Sequence, residues 1–151
     1  MALSENERAA MTSSKTPEWG TPWSLFWRLD EEFSLNLDVC ATPLNAKCSR
    51  YFTREDDGLA KEWAGRCWMN PPYGREIIKW IRKAYESSLK EAEIVVCLLP
   101  ARVDTEWFHE WVWGKAEVRF LRGRVRFIDE SGRQADPALF PSMVAIYRRR
   151  C

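Results

Sequence analysis

The sequence predicts an α/β protein with a mostly parallel, buried sheet, and three observations carry this. Residues 94–99 are six consecutive apolar residues closed by Pro100. That run is too short for a helix and suits a strand covered on both faces. Ile77, Trp80, Ile81, Ala84, Tyr85 and Leu89 form one helical stripe just before it. A second strand-like run, residues 66–69, precedes that stripe. Strand, helix and strand in this order make a parallel crossover.

The elements follow in order. Residues 1–16 are polar, lack periodicity and read as a flexible leader, which leaves 17–151 as a single domain. Trp23, Phe26, Trp27 and Leu29 recur at helical spacing, with Asp30, Glu31 and Glu32 on the wet side, so residues 23–33 form a helix. Thr21 before Pro22 reads as its N-cap, with proline at the first helical position. Leu35, Leu37 and Val39 alternate through residues 34–39 and give a strand that ends in the loop residues Cys40, Ala41, Thr42 and Pro43. Residues 44–66 are ambiguous, with a short strand at 50–53 and a turn at Asp56, Asp57 and Gly58. A short helix over 104–113 carries Asp104 as a possible N-cap. Residues 118–121 and 125–128 flank Arg122, Gly123 and Arg124 as a hairpin, and 143–147 form the last strand. The longest irregular stretch is 129–141.

Composition narrows the class. At 151 residues, 46% hydrophobic and 30% charged, the chain supports one core and is not a disordered tail. A membrane span needs roughly 18 apolar residues, three times the longest run here. Five cysteines with no CxxC pair indicate neither a disulfide framework nor a zinc knuckle. Cys40, Cys67 and Cys97 fall in strand-like segments and read as small buried hydrophobes. His109, the only histidine, lies between Phe108 and Trp111 on an apolar helix face and reads as structural. Residues 115–151 hold nine Lys and Arg against four acids, so a net charge of +1 hides a basic end. That end suits either a polyanion or a solvated edge.

The most informative residues are Asn70, Pro71, Pro72, Tyr73 and Gly74, between a predicted strand and a predicted helix. Ligands of open parallel sheets bind at the carboxyl ends of strands. Two prolines stiffen the loop and remove two N–H donors, which leaves carbonyls to accept. Asn70 adds a carboxamide oxygen and Tyr73 a flat ring. Two acceptors beside a stacking face suit an exocyclic amine on a planar ring.

Asn70-Pro71-Pro72-Tyr73 resembles the motif of S-adenosylmethionine-dependent amino-group methyltransferases. Trp19-Gly20-Thr21-Pro22 with Leu25, Phe26 and Leu29 resembles the opening element of adenine-N6 enzymes. Leu37-Asp38-Val39-Cys40-Ala41 resembles a degenerate form of their cofactor strand and loop. Residues 48–59, 98–108, 119–127 and 140–143 are similar to phage-type DNA N-6-adenine methyltransferases, and the likeness spans roughly 17–147. It implies a compressed Rossmann-like methyltransferase fold with a C-terminal antiparallel hairpin. It also implies methyl transfer from S-adenosylmethionine to N6 of adenine in DNA, without a metal, in the cytoplasm of a bacterial host of a phage or prophage.

In that resemblance Asn70, Pro71, Pro72 and Tyr73 are catalytic. The Asn70 oxygen and the Pro71 carbonyl accept from N6, and Tyr73 stacks on the base, which is flipped or single-stranded. Trp19, Thr21, Pro22, Asp38, Cys40, Asp56 and Asp57 bind the cofactor. Asp38 either faces its methionine amine or ribose or caps its own loop. Asp56 or Asp57 bonds the ribose hydroxyls or forms only an exposed turn. Arg102, Arg122, Arg124 and Arg126 meet DNA, Arg102 alternatively the cofactor. The loop after Asp38 holds no glycine until Gly58, and only 32 steps separate Asp38 from Asn70, so the cofactor half is compressed. The same motif serves methyltransferases of a protein glutamine amide or an RNA base. The missing glycines leave open a non-catalytic DNA-binding relative.

Overall fold

The structure, a computed structural model, describes residues 19–149. The predicted leader at 1–16 lies outside the described residues. Helix α1, Trp23–Phe33, buries Phe26, Leu29 and Phe33 along one stripe and stops where Ser34 turns left-handed (φ 50°). Strand β1 is Leu37–Asp38, shorter than the alternation predicts. Its start is trimmed because the Leu35 N–H is taken by the Asp30 carboxylate, 2.8 Å away.

Strands β2, Arg50–Tyr51, and β3, Gly65–Met69, both pair parallel with β1. Helix α2, Ile77–Ser88, leads to the longest strand, β4, Ala92–Pro100. Strand β5, Glu117–Phe120, and strand β6, Ser142–Arg148, complete a six-stranded sheet of order β2-β1-β3-β4-β6-β5. Strand β6 runs antiparallel to both neighbours.

The alternation along β4 and β6 divides the core into two layers. Ile94, Val96, Leu98, Val144 and Ile146 meet α1. Val95, Cys97, Leu99, Ala145 and Tyr147 meet α2 with its Trp80, Ile81 and Ala84. Both faces are covered, which is why these strands read as unbroken apolar runs.

Two expectations change. Residues 125–128 do not pair with β5; that strand pairs with β6 instead, so the antiparallel pair at the C-terminal end is joined by residues 121–141. The reason is burial. β6 carries six consecutive buried residues and fills the edge of β4, whereas residues 125–128 alternate with exposed Arg124 and Arg126. That segment crosses to the N-terminal part of the described chain, where the Ile128 and Gly20 backbones exchange hydrogen bonds of 2.6 and 2.9 Å. The second change is in 104–113, where Phe108–Val112 forms a widened, π-type turn. Thr105, not Asp104, caps it: its hydroxyl accepts from the Phe108 N–H at 3.2 Å and donates to the Arg102 carbonyl at 2.8 Å.

Candidate active site

Strand β1 has β2 on one side and β3 on the other, so the chain reverses its direction of travel across the sheet there. At such a switch point, loops leaving the carboxyl ends of the neighbouring strands diverge and open a crevice. Here the loops after β1 and β3 line a cavity of about 770 Å³. Its floor is Asp38 to Thr42 and Asn70 to Tyr73. Trp19, Gly20, Thr21, Asn45 and Lys47 form one wall, Gly58, Leu59 and Trp80 another. Phe127 and the segment from Gln134 to Phe140 close the remaining side.

The β1 loop holds its shape without a run of glycines. The buried Asp38 carboxylate accepts the Cys40 N–H at 3.2 Å and the Lys47 N–H at 3.0 Å, which ties both ends of the loop to the strand. Between them, Thr42 and Asn45 exchange side-chain and backbone hydrogen bonds of 2.7 and 3.2 Å. Burial pushes the Asp38 carboxyl up to about 7, against the pull of those two N–H groups and of Lys47. Burial also lowers the Lys47 ammonium, opposed by Asp38. Gly58 lies under this loop, and a Cβ there would collide with the Val39 carbonyl oxygen.

The β3 loop presents Asn70, half-buried, with no hydrogen bond to its carboxamide among the described residues. Tyr73 is fixed at both ends. Its hydroxyl donates to the Leu98 carbonyl at 3.2 Å, and its ring meets Phe140 and Phe127 edge-on at 5.6 and 6.2 Å. Burial raises its phenol far above the usual range, so it stays neutral.

Of the residues singled out from sequence, Trp19, Thr21, Asp38, Cys40, Asp57, Asn70, Pro71, Pro72 and Tyr73 line the cavity. Pro22 and Asp56 do not. Pro22, rather than Thr21, is the N-cap of α1, and its carbonyl accepts from Leu25 and Phe26. The exposed Asp56 carboxylate binds the Thr53 N–H and hydroxyl at 2.9 and 3.0 Å, which lowers its pKa. Thr21 is 1% exposed and its hydroxyl has no partner among the described residues. Arg122, Arg124 and Arg126 are exposed on the 121–141 connection, away from the lining. Arg102 is also exposed, its guanidinium 6.0 Å from the Phe140 ring centroid, at the rim. Cys67 and Cys97 are buried, whereas Cys40 is half-buried at the cavity. His109 is exposed, edge-on to Phe108, and does not touch the cavity.

Sequence reasoning missed Lys47, Gly58, Phe127 and the wall from Gln134 to Phe140. The last had a signal: Ala138, Leu139 and Phe140 are apolar residues in a loop, bracketed by Pro137 and Pro141. Lys47 had none, because nothing local marks a lysine as buried.

A mostly parallel sheet, a switch-point cavity floored by Asn-Pro-Pro-Tyr, and a reversed strand beside β4 together define a Rossmann-like methyltransferase. The DNA N-6-adenine-methyltransferase (Dam) family model matches residues 8–150, and the chain belongs to that family. It is 33% identical over 147 residues to the DNA N-6-adenine-methyltransferase of Haemophilus phage HP1 (strain HP1c1), covering 91% of this chain and 84% of the phage protein. It is 38% identical over 64 residues to "Putative methyltransferase YfdM" of Escherichia coli (strain K12), covering 37% of this chain and 70% of that protein.

Proposed function

We propose that this DNA adenine methyltransferase uses S-adenosylmethionine and modifies N6 of adenine in a short sequence context, on a flipped or single-stranded base. The observation that carries the reading is Asn70: a carboxamide without a partner among the described residues at the end of β3, on the floor of the switch-point cavity. The cavity volume lies in the range of small-molecule sites. The orphaned Thr21 hydroxyl suits a polar ligand there. S-adenosylmethionine supplies an electrophilic methyl group when bound.

Trp19, Thr21, Asp38, Cys40 and Asp57 are the cofactor contacts in this reading, Asp57 bonding the ribose hydroxyls. Pro22 and Asp56 act at one remove, Pro22 by starting α1 and Asp56 by bracing Thr53, a lining residue. The Asn70 oxygen and the Pro71 carbonyl accept hydrogen bonds from the adenine amine and orient its lone pair. Tyr73 supplies the stacking face, and the aromatic wall around it excludes water. Arg102, Arg122, Arg124 and Arg126 contact phosphates. Residues 17–151 act as one catalytic unit in the cytoplasm of a bacterial host. No helix among the described residues is long and apolar enough to cross a membrane.

Incubation with methyl-labelled S-adenosylmethionine and DNA tests this. The expected product is N6-methyladenine in DNA. Label in RNA or in protein glutamine, with none in DNA, would overturn the choice of acceptor. A folded chain that binds DNA but not S-adenosylmethionine would be the non-catalytic relative.

A further inference from the structure

Lys47 is a cation in an unusual place. It is 9% exposed, yet it lines the cavity. Its ammonium sits 3.9 Å above the Trp23 ring centroid and makes one long hydrogen bond, 3.4 Å, to the Asn45 carbonyl. An ammonium has three donors. Among the described residues, no carboxylate lies within 4.0 Å of it. Asp38 acts on the ammonium only from beyond ion-pair distance, and a buried charge so weakly compensated costs stability, so its retention on a cavity wall points to an anion that arrives with a ligand.

A second orphan lies on the same wall. The Thr21 hydroxyl has no partner among the described residues, and its segment touches the Lys47 loop: a Cβ built on Gly20 would stand 3.6 Å from the Asn45 Cβ. Asp38, whose carboxylate is tied to the Lys47 backbone, borders the same cavity. The lining of one region of the cavity therefore brings together a lysine, a threonine and an aspartate. That set complements a zwitterion, with an anionic end toward Lys47 and Thr21 and a cationic end toward Asp38.

We propose that Lys47 is a ligand-binding residue that holds the carboxylate of the cofactor's amino-acid end, with Thr21 beside it and Asp38 facing the amine. This rests on the S-adenosylmethionine reading and deepens it. Trp23 positions the ammonium, and the Asp38-to-Lys47 backbone bond sets where the loop delivers it. The shared chemistry also admits a DNA phosphate, and the arms of the test separate the two.

Calorimetric titration uses two probes, S-adenosylmethionine and 5′-methylthioadenosine, which lacks the amino acid's carboxylate and amine. Lys47→Met is expected to weaken S-adenosylmethionine at least tenfold and 5′-methylthioadenosine less than twofold, while Lys47→Arg keeps most affinity. The ligand-free Lys47→Met protein should melt no lower than the parent. If that variant does not fold, Lys47→Gln takes its place. Equal loss for both probes, or loss for neither, overturns the assignment. A drop in DNA affinity with S-adenosylmethionine binding intact assigns the ammonium to a phosphate and also overturns it. A parent protein that binds neither probe refutes the cofactor reading, and this proposal with it.

Discussion

Asn70 is a half-buried residue that no described group holds, so its removal should cost the fold little. Asn70→Ala is expected to lower kcat by roughly 10- to 100-fold, the size of one or two hydrogen bonds made in the transition state, with the melting temperature unchanged. Steady-state kinetics beside a thermal melt checks both. Tyr73 carries two jobs that the sequence shows as one. Tyr73→Phe keeps the ring but strands the Leu98 carbonyl, so turnover should survive while stability drops by about 1–2 kcal/mol. Tyr73→Ala should lose turnover as well, since stacking on a base is worth about 1–3 kcal/mol. Asp38 gives a pH signature. Its folded pKa of about 7 lies above the ordinary 3.8, so the folded chain holds a proton that the unfolded chain has released. Ligand-free stability should therefore fall as pH rises from about 4 to 7, by up to about 4 kcal/mol, and level off above. Asp38→Asn should flatten that window in urea titrations. Asn70 and Tyr73 were legible because two prolines make a local signal. Lys47 was not, since its burial comes from Trp23, 24 positions earlier in the sequence.

At the scale of elements, local periodicity carried well where a helix lies on a sheet. The stripe of α2 is a face that the sheet buries, whereas on α1 Phe26, Leu29 and Phe33 are buried and Trp23 and Trp27, read from their spacing as part of the stripe, are exposed. It failed where two segments compete for one edge. Residues 125–128 look like a strand, but β6 brings more apolar surface to β4. The displaced connection instead supplies Phe127 and Phe140 to the site. The 3-10 turn Gly58–Ala60 is a tight joint, because Gly58 passes under the Val39 carbonyl. Gly58→Ala should destabilise the chain by about 1–3 kcal/mol, as overpacking does, and a denaturant midpoint would report it. Arg122, Arg124 and Arg126 remain exposed on the connection rather than on a strand face. Reversing their charge should flatten the salt dependence of DNA binding by about one unit of log–log slope for each phosphate they no longer neutralise, equally for all sequences.

Among the described residues, no inserted domain interrupts the sheet, and the longest connection between its strands, 121–141, is used in closing the cavity. Reading bases in the major groove takes a helix or ribbon with several polar side chains aimed at base edges. Methylation is therefore expected at adenines in a very short context, and sequencing of modified bases checks it. A single required site of five or more base pairs would contradict this.

The alternation of strand and helix, the amphipathic stripe of α2 and the Asn-Pro-Pro-Tyr loop were determined by the sequence itself. Each depends on residues within one or two turns of each other, and such order survives without knowing the rest of the chain. The pairing of β5 with β6, the aromatic wall opposite Asn70 and the burial of Lys47 were decided only by the tertiary structure. Each is the outcome of a competition between distant segments for the same apolar surface, and no local pattern records which segment wins.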